Sequence, residues 1–202
     1  MRPENDTYHV RCFVEKDGRV WASVTHYIET GEDKYGLAWW TEDGYIFMDG
    51  DISFEDAGYY GEDWDNVRSS VQISAEQFDK ITYPYRDIPE KINEYAAAHR
   101  VPMKKPYVPG DIFYGYGWGV FKLSEVSDND ATAKGVFCGE YTLGIIREPY
   151  YINSHDFKNL YKDTYLVESS VLEFAKEKVK SYSKEVLNAV KALVSPDMYI
   201  HL

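Results

Sequence analysis

Seven apolar residues, Leu172, Ala175, Val179, Tyr182, Val186, Ala189 and Leu193, recur at alternating steps of three and four. Steps of that size return to one side of an α-helix, so they predict one long helix, from about Val171 to Val194, with a single continuous seam. Ser170 is placed to cap it with Glu173 at the capping-box position, and Pro196 to stop it. A helix with one apolar side has to lay that side on another layer. The expected layer is a sheet of the same chain, although a coiled coil between two copies would show the same pattern.

The material for that sheet is a series of short β-prone runs. Tyr8–Val14 and Val20–Tyr27 flank Lys16-Asp17-Gly18-Arg19. An Asp-Gly pair suits a two-residue type I′ loop, which would set Lys16 against Arg19, Phe13 against Ala22 and His9 against His26. Gly31–Gly36 reads as a loop. Leu37–Trp40 and Tyr45–Met48 then form a second hairpin around Glu42-Asp43-Gly44, and Val67–Ile73 a further strand. Ser74 caps a short helix through Ile81, with Gln77 at the capping-box position. Tyr83-Pro84-Tyr85 reads as a break. A second helix is expected from Pro89, capped by Asp87 with Glu90 three residues on, and given an apolar side by Ile88, Ile92, Tyr95 and Ala96.

Met103-Lys104-Lys105-Pro106 is the candidate boundary. It separates an acidic region of hairpins and two short helices, residues 1–102, from residues 103–202. The second region opens with strands in Asp111–Tyr114 and Trp118–Leu123. After a polar turn at Ser127–Asp130, strands follow in Gly135–Cys138 and Tyr141–Ile146. Strands at this spacing predict a small antiparallel sheet or partly open barrel, completed by the long helix. The fold class is α+β, rich in antiparallel strands: a β-meander with short helices, then a second small sheet, with the two regions free to pack as one domain.

Charge narrows the function. The net charge is −12, and residues 1–100 hold 10 Lys/Arg against 21 Asp/Glu, while residues 101–202 hold 12 against 13. Between 42 and 79 there are 11 acids and one base, Arg68. Such a field repels phosphate backbones and attracts basic surfaces. Direct nucleic-acid binding is therefore excluded from the leading reading. No run reaches the roughly 20 apolar residues that span a bilayer, and the polar opening Met1–Asp6 has no apolar run behind it. Two cysteines, Cys12 and Cys138, make no disulfide framework. A reducing, cytoplasmic setting is expected, with no membrane contact.

Catalytic constellations are thin. Cys138-Gly139-Glu140 with His155-Asp156 supplies the residue types of a thiol hydrolase, but Val136 and Phe137 place the cysteine in a buried strand. Asp49-Gly50-Asp51, followed by Glu55 and Asp56, offers oxygens to a hard divalent cation without completing the calcium-loop pattern. His9 and His26, facing each other across the first hairpin, would be two ligands where structural zinc needs four. Gly115-Tyr116-Gly117-Trp118-Gly119 lacks the Lys-Ser/Thr of a phosphate loop. Its period of two puts the glycines on one face of an extended strand, where another element can approach closely. The string Pro109–Phe113 with Gly117–Val120 resembles the core of some bacterial toxin-immunity proteins over that short stretch only, which assigns no family.

The feature that best fits a function is acidic and aromatic together. Asp49, Asp51, Glu55, Asp56, Glu62, Asp63 and Asp65 interleave with Phe54, Tyr59, Tyr60 and Trp64 in what reads as one long loop, Asp49–Asn66. Aromatic anchors inside a charged rim are how interface hot spots are built. The expected partner-binding residues are Asp49, Asp51, Glu55, Asp56, Tyr59, Tyr60, Glu62, Asp63, Trp64 and Asp65, with no catalytic residue, metal or cofactor. The expected function is a non-enzymatic inhibitor that occludes a basic, nucleic-acid-binding site on a partner protein, of the toxin-immunity or phage anti-defence type. Two alternatives are a metal-dependent hydrolase using Asp49 and Asp51, and an assembly protein that oligomerises through its last helix.

Overall fold

The computed structural model describes the backbone of residues 7–29, 33–41, 45–53, 70–103, 106–138, 142–146, 149–156 and 164–201, and the side chains within them except at 27–53, 85, 86 and 142. It divides into two compact units, residues 1–84 with 181–202, and residues 85–180. The architecture is α+β, with two antiparallel sheets that do not close, short helices and one long helix.

In the first unit, β1 (Thr7–Val14), β2 (Val20–Glu29), β3 (Asp33–Thr41) and β4 (Tyr45–Ser53) follow one another as an antiparallel meander. The other edge of β1 is shared. β5 (Val71–Ile73) lies antiparallel to Tyr8–Val10, and β12 (Ile200–His201) lies parallel to Phe13–Val14. The loop expected at Gly31–Gly36 gives way to strand from Asp33, because Asp33–Tyr35 continue the ladder against Tyr27–Glu29.

The first hairpin is one residue out of the expected register. Phe13 stands opposite Trp21 and His9 opposite Thr25. Gly18 N–H donates to the Glu15 carbonyl at 2.8 Å, Glu15 N–H donates to the Arg19 carbonyl at 2.9 Å, and Gly18 has φ +86°. This is a three-residue loop, a turn followed by a left-handed glycine that forms a bulge, rather than a type I′ pair. Asp17 favours it by accepting from the Arg19 backbone at 3.0 Å and side chain at 2.7 Å. A shift of one residue exchanges faces. Tyr8, Val10 and Cys12 therefore share a buried face with Ala22 and Val24, while His9, Arg11 and Phe13 lie on the other.

α1 (Ala75–Thr82) starts as expected. Ser74 Oγ accepts from Gln77 N–H at 3.1 Å, and Gln77 Oε1 accepts from Ser74 N–H at 2.9 Å. α2 (Pro84–Ala98) starts earlier than expected, with Pro84 opening the helix and Pro89 inside it. A proline fits the first position, where its missing N–H has no intrahelical partner. Pro89 forgoes one ladder bond, and burial of Ile88, Ile92 and Ala96 holds the helix through it.

The second unit carries β6 (Ile112–Gly115), β7 (Gly119–Val126), β8 (Ala131–Cys138) and β9 (Thr142–Ile145) as a meander. β11 (Thr164–Leu166) lies beside β6, and β10 (Tyr150–Ile152) lies on β8 beyond β9. Its core is Tyr107, Phe113, Phe121, Leu123, Ile152 and Leu166 with smaller alanines. The middle of the Gly-aromatic-Gly repeat, Tyr116–Trp118, is a turn between Gly115 at the end of β6 and Gly119 at the start of β7. Trp118 N–H donates to the Gly115 carbonyl at 3.1 Å, and Gly117, third of the four turn residues, has φ +77°, as a type II turn requires. Close approach does occur at Gly119, where an added Cβ would lie 2.0 Å from the Val136 carbonyl oxygen.

α3 (Ser169–Lys191) begins one residue before its expected cap. Ser170 Oγ donates to the Glu168 carboxylate at 3.4 Å instead of capping. The helix ends at Lys191, three residues before the expected Val194. Leu172, Ala175, Val179, Tyr182 and Val186 are buried as the seam predicts, but the buried line then moves to Leu187 and Val190. The reason is geometric. Alternating threes and fours repeat every 3.5 residues, whereas a straight helix turns every 3.6, so the line drifts around it. Ala189 and Leu193 are left half-buried, facing Ile81 and Pro84 across an open groove of about 310 Å3.

Candidate partner-binding site

The acidic segment starts inside the sheet. Asp49 to Ser53 belong to β4, so the strand runs five residues further than Met48 and the expected loop is shorter by as many. Lys34 and Tyr35 of β3 supply the ladder positions that extend it, pairing with Ser53 and Ile52. Asp49 stands opposite Leu37. The register breaks between these pairs, where Gly50 and Asp51 together meet the single residue Gly36. Asp51 is thus one of the two bulge residues and Asp49 belongs to the last regular pair before it, so the regular two-residue repeat of about 6.6 Å does not connect them. Glu55, Asp56, Tyr59, Tyr60, Glu62, Asp63, Trp64 and Asp65 lie outside the described residues, as does Phe54.

Beyond the segment the described chain resumes at Ser70. Its hydroxyl meets His9 Nδ1 at 2.9 Å, and β5 follows at once on the edge of β1. β4 and β5, the strands that flank residues 54–69, are four strand positions apart. His9 shares its face of β1 with Arg11, which is 2 % exposed. Burial and then the Arg11 charge hold His9 below the usual imidazole range. Alternation in Tyr8–Val14 hinted at this face, since His9 and Arg11 occupy every second place. A buried guanidinium inside the most acidic half of the chain was not anticipated.

The competing sites fare differently. His9 and His26 lie on opposite faces, because His26 stands opposite Tyr8, with ring centroids 4.5 Å apart. The zinc pair that the type I′ register implied is thereby removed. Among the described residues no three His, Cys, Asp or Glu gather to hold a metal. Cys138 is buried, and burial pushes its thiol up to about 12. His155 and Asp156 belong to a turn built on Asn153, whose Oδ1 accepts from both backbone N–H groups and whose Nδ2 donates to Asp156 at 2.7 Å. Cys12 is likewise buried and pushed up to about 11, by burial first. Neither cysteine offers a thiolate at neutral pH. Among the described residues no helix is long and apolar enough to cross a membrane.

Comparison of the chain with known protein families, curated proteins and solved structures finds no match.

Proposed function

We propose that this protein is a non-enzymatic binding protein whose acidic-aromatic segment, Asp49 to Asp65, occludes a basic surface on a partner protein that itself handles nucleic acid. One observation carries the reading: 11 acids against one base between residues 42 and 79, interleaved with aromatic side chains. Acidic side chains speed encounter with a basic face and reject acidic ones. Exposed ion pairs alone contribute little, about 0 to 1 kcal/mol each. Tyr59, Tyr60 and Trp64 are the residue types that add a desolvated contact. The two high thiol pKa values argue against nucleophilic catalysis at either cysteine.

The test is capture from a lysate of source cells at low and high salt, with wild type and a variant carrying Asp49→Asn, Asp51→Asn, Glu62→Gln and Asp63→Asn. The reading expects wild type to retain basic nucleic-acid-handling proteins at low salt and lose them at high salt. The variant should retain far less at either. Equal capture by both proteins would refute it.

A further inference from the structure

The edge of β1 is covered in two unequal pieces. β5 holds three positions, Tyr8 to Val10, whereas β12 holds only Phe13 and Val14. β2, on the opposite edge, holds all eight positions from Thr7 to Val14. The link from α3 to β12, residues 192–199, includes a 3-10 turn, Pro196–Met198, none of whose residues is buried. Local bonds shape it: Ser195 Oγ donates to the Asp197 carboxylate, and Tyr199 N–H donates to the Pro196 carbonyl at 3.3 Å. Tyr199 and Ile200 are half-exposed, yet Cys12, next to the Phe13–Ile200 pair, is fully buried.

We propose that Ser195–His201 is a latch, which opens as a unit while β1, β2 and the helices stay folded, and which uncovers the Phe13–Val14 edge and the Cys12 side chain when it does. Segments open locally when they bury little and hold few backbone bonds. Two strand positions meet that condition, and the buried Val194 marks where the latch ends. An opened sheet edge presents unpaired N–H and C=O groups. The latch therefore controls whether β1 offers such an edge, and this inference stands independently of the acidic segment.

Cys12 serves as the reporter and Cys138, buried in the second unit, as the reference. The experiment labels native protein with a small methanethiosulfonate at mildly alkaline pH in rising, sub-denaturing urea, and follows each cysteine by peptide mass spectrometry. Wild-type Cys12 is expected to label faster than Cys138, at a rate nearly independent of urea. Ile200→Pro, which removes a strand donor, should raise the Cys12 rate about tenfold and leave Cys138 unchanged. A wild-type Cys12 rate that climbs with urea in step with global unfolding would overturn the latch, whether or not the proline variant folds. An unchanged Cys12 rate in a folded proline variant would overturn it too.

Discussion

The Tyr182 hydroxyl of α3 donates to the Ile81 carbonyl at 3.1 Å and lies 3.4 Å from the Thr82 carbonyl, closing the last turn of α1 from a hundred residues away. The final carbonyls of a helix have no intrahelical donor. Tyr182 is 3 % exposed, so water does not replace it. Tyr182→Phe keeps the ring and deletes the donor. It is expected to cost about 1 to 2 kcal/mol in urea denaturation, as a buried acceptor loses its partner. A cost indistinguishable from zero would mean that this carbonyl is satisfied in another way.

Gly119 and Gly117 make a paired test of backbone against space. Both have positive φ, +125° and +77°. An added Cβ at Gly117 meets nothing within 4 Å, while at Gly119 it meets the Val136 carbonyl at 2.0 Å. Gly117→Ala should cost about 1 kcal/mol, the conformational penalty alone. Gly119→Ala must also push β7 from β8 and should cost about 3 kcal/mol or more. Equal melting temperatures for the two variants would contradict the close approach.

His9 predicts a pH dependence with a definite sign. Its folded-state pKa is lowered, by burial first and Arg11 second. As pH falls, the unfolded imidazole takes up its proton first, near pH 6.5. The folded protein therefore loses the His9 contribution below that pH, until the lower folded-state pKa is passed. His9→Gln keeps a hydrogen-bonding group toward Ser70 without titrating. The stability of wild type relative to this variant should fall as the pH drops through about 6.5. A relative stability that holds constant or rises on acidification would contradict the burial of His9.

Val179 is fully buried near the middle of the α3 seam. Val179→Asp would place a charge there and should cost about 3 kcal/mol or more. A variant that melts like wild type would show that the helix can expose that side.

The parts legible in the sequence were those set by local chemistry. Ser74 and Gln77 specify α1 through a box that closes as expected. The β6–β9 meander follows from short apolar runs between polar turns. What was misread depended on choices made over a few residues. Asp17-Gly18 suits two loop types, and only the Glu15–Arg19 pairing reveals which one forms, with the position of every cross-strand histidine at stake. Gly117 looks like strand by alternation, yet its positive φ belongs to a turn, while Gly119 opens β7 with a positive φ of its own. β10, β11 and β12 are two or three residues long and exist because a neighbouring edge is open, which no local pattern encodes. For the candidate site, the acidic composition was plain, but the bulge at Gly50-Asp51 depends on pairing with β3.

The central claim, that Asp49–Asp65 binds a basic protein surface, is tested most directly by the kinetics of binding to a captured basic partner across a range of salt. The variant with Asp49, Asp51, Glu62 and Asp63 neutralised should associate more slowly, with a flatter dependence on salt, because steering scales with charge and is screened. Trp64→Ala should leave association nearly unchanged and speed dissociation, since an anchor acts after encounter. If both variants associate and dissociate like wild type, the binding surface lies elsewhere on the protein and the account is wrong.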